Sequence, residues 1–214
     1  MTGYRRGIRA AAPIGLAAFA FGASFGVLAR AAGMGWLAPV VMSATTFAGS
    51  AQFAATSVLD AGGTVVAAIA AAVMLNARYT PIGITVASRF RGGAPRRIIE
   101  SQLVVDESWA IAMRGGSPDV RTLLGAGAVL WVAWTSGTAA GVLLGDVVGD
   151  PERFGLDAAF PALFLALLVP LVRHRSAVLA AVAGALVALC LLPFVPAGIP
   201  IVAAGAAAFL GWRR

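Results

Sequence analysis

Apolar residues fill this chain in long runs, separated by short polar clusters in which arginine is the commonest charge. The runs cover 10–29, 36–59, 64–88, 98–114, 122–145, 158–172, 176–193 and 198–212. Each approaches or exceeds the ~18–20 residues that carry a helix across a bilayer. At 1.5 Å per residue most of them reach the ~30 Å hydrocarbon core, while 158–172 falls short and requires local thinning. Segment 98–114 is marginal in length and holds Asp106 and Glu107 near its midpoint. The pattern predicts an all-α polytopic integral membrane protein. It has six to eight membrane-embedded helical segments, some discontinuous or re-entrant, in a single transmembrane domain over residues 1–214.

Polar residues interrupt two of these runs. The stretch Met42–Phe53 reads M-S-A-T-T-F-A-G-S-A-Q-F. At about 100° per residue, Ser43, Thr46, Ser50 and Ser57 fall on one side of a helix, with Thr45, Gln52 and Thr56 roughly opposite. A lipid-facing helix cannot be polar on two opposed sides, because hydrocarbon offers those groups no partner. The segment is therefore enclosed by other helices or broken near Gly49 to line a polar cavity. Its serines and threonines also suit plain back-bonding and small-residue packing. In the run 64–88, Pro81 removes a backbone donor and clashes with the carbonyl of Ala77, so a kink or break is expected there.

Composition sharpens the class. Only 12% of the 214 residues are charged and the mean hydropathy is +0.89, against about 25% charged residues in a soluble domain. The formal charge of +7 comes from sixteen arginines with no lysine. These lie between apolar segments, which is the positive-inside pattern and not a nucleic-acid footprint. Arg5, Arg6 and Arg9 place the N-terminus in the cytoplasm. Residues 1–31 resemble a secretory signal only superficially, since Pro13, Gly15, Gly22 and Gly26 suit a packing helix. The lone cysteine, Cys190, excludes an intramolecular disulfide and a thiolate metal site. Nothing in the sequence calls for a cofactor or a metal.

Charge also poses a topological conflict. Arg89, Arg91, Arg96 and Arg97 belong inside, yet eight full spans put them outside. The conflict disappears if 36–59 enters and leaves on one side and 98–114 does likewise from the cytoplasm. The eight-span alternative finds support in a faint repeat, Gly22-x-x-x-Gly26-Val-Leu against Gly137-x-x-x-Gly141-Val-Leu. That would relate 1–114 to 121–214 as a weak two-fold repeat.

Candidate chemistry gathers in three clusters: Ser50 with Gln52; Asn76, Arg78 and Tyr79; and Asp106, Glu107 and Ser108. Asn76 and Tyr79, three apart, would share a helix face, with Arg78 pointing away unless the backbone breaks. A charge at mid-helix costs about 2.5–3.5 kcal/mol and needs a partner or a role. Arg78 could staple two helices by pairing with Asp106 or Glu107, or these groups could form a polar site with one carboxylate free to exchange a proton. A serine hydrolase is the competing class, because Gly22-Ala23-Ser24-Phe25-Gly26 matches G-x-S-x-G. The single histidine, His174, sits between Arg173 and Arg175 in a loop and cannot serve as its base. Gly22 and Gly26 therefore read as close-packing positions. A channel-like or uptake permease for small amphiphilic solutes is the other alternative.

The motifs also resemble a family. F-G-A-S-F-G-V-L-A (Phe21 to Ala29), the Met42–Phe53 block, N-A-R-Y (Asn76 to Tyr79) and D-E-S (Asp106 to Ser108) resemble the AzlC/BrnF family, the large subunits of bacterial branched-chain amino acid exporters. Trp134-x-x-Gly137 and the stretch Gly155–Phe164 match more weakly. The resemblance implies export of Leu, Ile and Val, with Met and analogues, across the bacterial inner membrane. It further implies proton-motive-force coupling and a small membrane partner of the AzlD/BrnE type. Position 79 is Tyr where many relatives carry His, and tyrosine does not titrate near neutrality. A zwitterionic substrate needs donors for its carboxylate, such as Arg78 or a half-helix start near Gly49, and acceptors for its ammonium, such as Gln52, Asp106 or Glu107. Phe47, Phe53 and Met74 are candidates for an apolar side-chain pocket.

Overall fold

A computed structural model describes residues 3–114, 116–148, 172–196 and 198–205, with single positions at 162, 165, 168 and 169. The weakly matching stretch 155–164 and most of segment 158–172 lie outside the described residues. Among the described residues there are ten helices: α1 Gly3–Ala31, α2 Leu37–Thr45, α3 Gly49–Asp60, α4 Val65–Asn76, α5 Tyr79–Ala87, α6 Ala94–Ser101, α7 Asp106–Ala112, α8 Val120–Val148, α9 Arg175–Leu191 and α10 Ile199–Gly205. A two-residue antiparallel hairpin, β1 Met113–Arg114 and β2 Ser117–Pro118, precedes α8. Within α1 and α8, Gly3–Ala31 and Val120–Gly145 are long and apolar enough to cross a membrane, and α4 with α5 qualify only as one broken span. The chain divides into two compact units, 1–49 with 76–149 and 50–75 with 150–214.

The first unit is built on α1 against α8, which run parallel. Gly3 lies against Asp119 and Arg121 at one end, and Arg30 against Gly145 at the other. Glycine sets the approach. A Cβ at Gly22 would stand 2.5 Å from the Trp134 carbonyl, and one at Gly26 would strike the Thr138 carbonyl. Reciprocally, Gly137 meets the carbonyl of Phe19 and Gly141 that of Ala23. A shift of 115 residues (22 to 137, 26 to 141) converts the one pair of contacts into the other. At these two helices the faint repeat in the sequence corresponds to reciprocal packing, with small residues letting the backbones touch. Ser24, the centre of the G-x-S-x-G match, bonds back to the Ala20 carbonyl at 3.0 Å.

Three further observations bear on the path of the chain. Ser88, Arg89 and Arg91, just past α5, share a cavity with Ser117–Val120 at the start of α8, so α5 finishes at the end of the unit where α1 and α8 begin. Segment 94–118 leaves that end and returns to it, since Arg97 bonds the Ala87 carbonyl at 2.9 Å while Leu103 touches Gly127. Gly127 lies seven residues into α8, about 10 Å deep at 1.5 Å per residue. This arrangement fits the paired-hairpin alternative. Eight full spans would set the 89–97 loop at the opposite end.

In the second unit, a short turn joins α3 to α4. Gly62, at φ 75°, takes the left-handed conformation that closes the end of α3, with Gly63 N–H on the Val58 carbonyl at 2.8 Å. Thr64 caps α4 by accepting the Ala67 N–H at 3.1 Å. The turn at Gly198 closes on Val58 and Ala67, where a Cβ would come within 2.9 Å of both side chains. Val65, Val66, Ile69 and Val73 of α4 are exposed.

Candidate functional site

Two backbone interruptions define the candidate site. The first separates α2 from α3 at Thr46–Ala48, immediately before Gly49. Phe47 sits there at φ 41°, the only non-glycine described residue with positive φ. Such a backbone costs of order 1–3 kcal/mol and persists only where the surroundings fix it. They do so through α8. The Ser43 and Thr138 hydroxyls share a hydrogen bond of 2.8 Å. Trp134 Nε1 donates to Ser43 Oγ at 3.1 Å and Trp131 Nε1 to the Ala44 carbonyl at 2.9 Å. Gly49 lies against the Trp134 ring, where a Cβ would stand 2.8 Å from Cη2, and Phe25 stacks on that ring at 6.2 Å. From the end of α6, Gln102 Nε2 donates to the Thr45 carbonyl, which the broken helix leaves without an α3 partner.

The second interruption is Ala77–Arg78, between α4 and α5, and it begins at the residue whose carbonyl Pro81, lacking an N–H, cannot serve as a helical donor. It overturns the expectation that Asn76 and Tyr79 share a helix face: Asn76 ends one helix and Tyr79 begins the next. It also turns Arg78 back onto Tyr79. Arg78 Nη2 donates to the Tyr79 hydroxyl at 3.3 Å, with Cζ 5.1 Å from the ring centre. The same nitrogen pairs with Asp106 Oδ2 at 3.2 Å, both side chains about one-third exposed (32% and 33%). Beside them, Asn76 Oδ1 is shut from solvent and has no hydrogen-bond partner within the described residues.

Asp106 takes this pair because it opens α7, where a carboxylate also meets the positive end of the helix dipole. Buried Ser108 fixes that start by accepting the Val105 N–H at 2.9 Å and bonding the Leu103 carbonyl at 2.8 Å. Trp109 Nε1 reaches Thr85 Oγ1 at 3.1 Å, holding α7 alongside α5. Glu107 points out of the chain and makes no ion pair among the described residues. The structure thus gathers Arg78, Tyr79, Asp106 and Asn76 in the first unit. Ser50 and Gln52 lie on α3 in the second and are buried, Gln52 completely. Phe47 and Phe53 are buried, while Met74 is exposed.

Sequence reasoning missed Ser43 with Thr138 as a bonded pair, and it missed Gln102. A polar side chain within a marginal apolar segment was the available signal for Gln102. Nothing in the sequence joined positions 43 and 138.

The family model for the AzlC protein matches residues 13–148, a span that includes both interruptions and the Arg78–Asp106 pair. The chain belongs to the AzlC family. It is 32% identical over 213 residues to an "Uncharacterized membrane protein" of Archaeoglobus fulgidus, covering 98% of this chain and 94% of that one. It is 27% identical over 157 residues to the "Branched-chain amino acid transport protein AzlC" of Bacillus subtilis, covering 69% of this chain and 59% of that relative. No solved structure is a significant match. This AzlC-family chain is a helical membrane protein with a role in membrane transport.

Proposed function

We propose that this chain exports branched-chain amino acids, with Leu, Ile and Val as principal substrates and Met and analogues as further ones. In this reading it is the large subunit of a two-component exporter in the bacterial inner membrane, its N-terminus cytoplasmic. A small AzlD/BrnE-type membrane subunit completes it, and the proton motive force drives it. The observation that carries the reading is the Arg78–Asp106 pair beside Tyr79 at an interrupted helix. A guanidinium and a carboxylate 3.2 Å apart are the complement of an amino-acid zwitterion. Arg78 exchanges Asp106 for the substrate carboxylate, and Asp106 receives the ammonium. Each charge then keeps a partner, which a low-dielectric site demands. Glu107, one residue on, is the candidate for proton exchange. Discontinuous helices at membrane depth are the usual setting for such sites in secondary transporters.

The test is leucine or valine efflux from a strain lacking its own exporters, with this chain expressed alone, with its small partner, and with the proton gradient dissipated. Uphill efflux that needs both the partner and the gradient is expected. Robust uphill export by this chain alone would refute the partner assignment, and gradient-insensitive export would refute the coupling. Equilibration without accumulation outside would establish the channel-like alternative, and net accumulation inside the cells the uptake permease.

A further inference from the structure

The loop between α5 and α6, with the start of α6, carries four arginines in two different environments. Arg96 is held by Glu100 at 2.7 Å, and Arg97 donates to the Ala87 carbonyl at 2.9 Å. Arg89 and Arg91 are exposed and make no hydrogen bond from their guanidinium groups and no ion pair among the described residues. They are not loosely placed. Phe90 between them is buried, 9% exposed, in a core cluster with Val86, Ala112, Leu123 and Leu124. Anchoring the middle residue holds both neighbours on the wall of one open cavity of about 520 Å³. Ser88, Ser117, Pro118, Asp119 and Val120 line the rest of it.

The one acid on that wall is already engaged. Asp119 accepts the Thr122 hydroxyl at 2.8 Å and the Arg121 N–H at 3.1 Å, with Arg6 Nη1 at 4.0 Å. The Thr122 bond, above all, holds its carboxyl below the usual range. The cavity therefore presents two uncommitted guanidinium groups and two hydroxyls to any anion that enters. Its position says which anion. α6 follows directly and turns Ile98 and Ile99 outward, 69% and 70% exposed, where hydrocarbon is their only favourable surrounding. A cationic cavity opening beside lipid-facing isoleucines, at the end of the unit where the helices start, sits where phospholipid headgroups lie.

We infer that this cavity binds the phosphate of an anionic phospholipid headgroup, Arg89 and Arg91 supplying the charge and Ser88 and Ser117 the hydroxyl donors. The site is separate from the Arg78–Asp106 pair and does not depend on the transport reading.

The full chain in detergent micelles, titrated with dioleoyl phosphatidylglycerol and, separately, dioleoyl phosphatidylcholine, tests this by native mass spectrometry. Phosphatidylglycerol should bind in preference. The double variant R89Q/R91Q should bind it roughly 30-fold more weakly, the loss expected for two basic groups at an anionic lipid. These side chains are exposed, so the variant should remain monodisperse, as size-exclusion chromatography would verify. The double variant R173Q/R175Q removes the same charge from exposed side chains that line a different cavity and should bind as the parent does. Equal loss in both double variants would overturn the inference, because net charge alone would then explain binding. Full competition by millimolar inorganic phosphate would also overturn it, marking the cavity as a site for a soluble anion.

Discussion

Neutralising both members of the Arg78–Asp106 pair separates a structural staple from a substrate site. At 3.2 Å the gross attraction is about 5 kcal/mol at an effective dielectric near 20. With about a third of each side chain exposed, water screens part of it. Asp106→Asn or Arg78→Gln alone leaves one charge uncompensated at an interrupted helix and should cost about 1–3 kcal/mol. In the double variant R78Q/D106N neither charge is stranded, so most of that stability should return. Stability would be read by heating detergent-solubilised protein and measuring the surviving monodisperse fraction. Transport would be read as leucine efflux at matched membrane expression, with the small partner present. If the pair binds the zwitterion, both single variants and the double variant lose efflux, although the double variant is stable. If it only ties α5 to α7, efflux returns with stability. Parental efflux by R78Q/D106N would refute the site assignment.

The close approach of α1 and α8 makes Gly22→Ala costly by about 1–3 kcal/mol, because the new Cβ stands 2.5 Å from the Trp134 carbonyl. Gly83→Ala, with nothing within 4 Å, should be neutral, and equal folded yields from the two variants would contradict this packing. Ser43→Ala should cost about 1–3 kcal/mol by removing the hydroxyl that accepts the Trp134 N–H at 3.1 Å and shares a bond with Thr138 at 2.8 Å. Its thermal stability should fall, and Thr138→Ser, which keeps a hydroxyl, should fall less. A cysteine at Gly93, in a background where exposed Cys190 is replaced by alanine, should resist membrane-impermeant maleimide in intact cells. Rapid labelling from outside would establish the opposite placement of the loop.

The sequence by itself determined the class of the molecule and the places where its helices stop. Hydropathy over ~20 residues and a 12% charged fraction admit only a membrane-embedded helical chain. Local backbone chemistry carried the two interruptions. Pro81 cannot accept a helix running through Ala77–Arg78, and the polar stretch before Gly49 cannot face lipid on both sides. Gly22 and Gly26 were legible as packing positions because a missing Cβ is itself the signal. The tertiary structure decided which surfaces meet. Asp106 and Glu107 were indistinguishable by sequence, and only the start of α7 turns one toward Arg78 and the other outward. Ser43 and Thr138, ninety-five positions apart, are bonded through the register of α2 on α8. Gln102 reaches the Thr45 carbonyl because segment 94–118 folds back into the unit. Hydrophobicity and backbone propensity are properties of a residue and its near neighbours, so they can be read along the chain. Hydrogen bonds and ion pairs depend on ångström-scale register between distant segments, and that register exists only once the helices have packed.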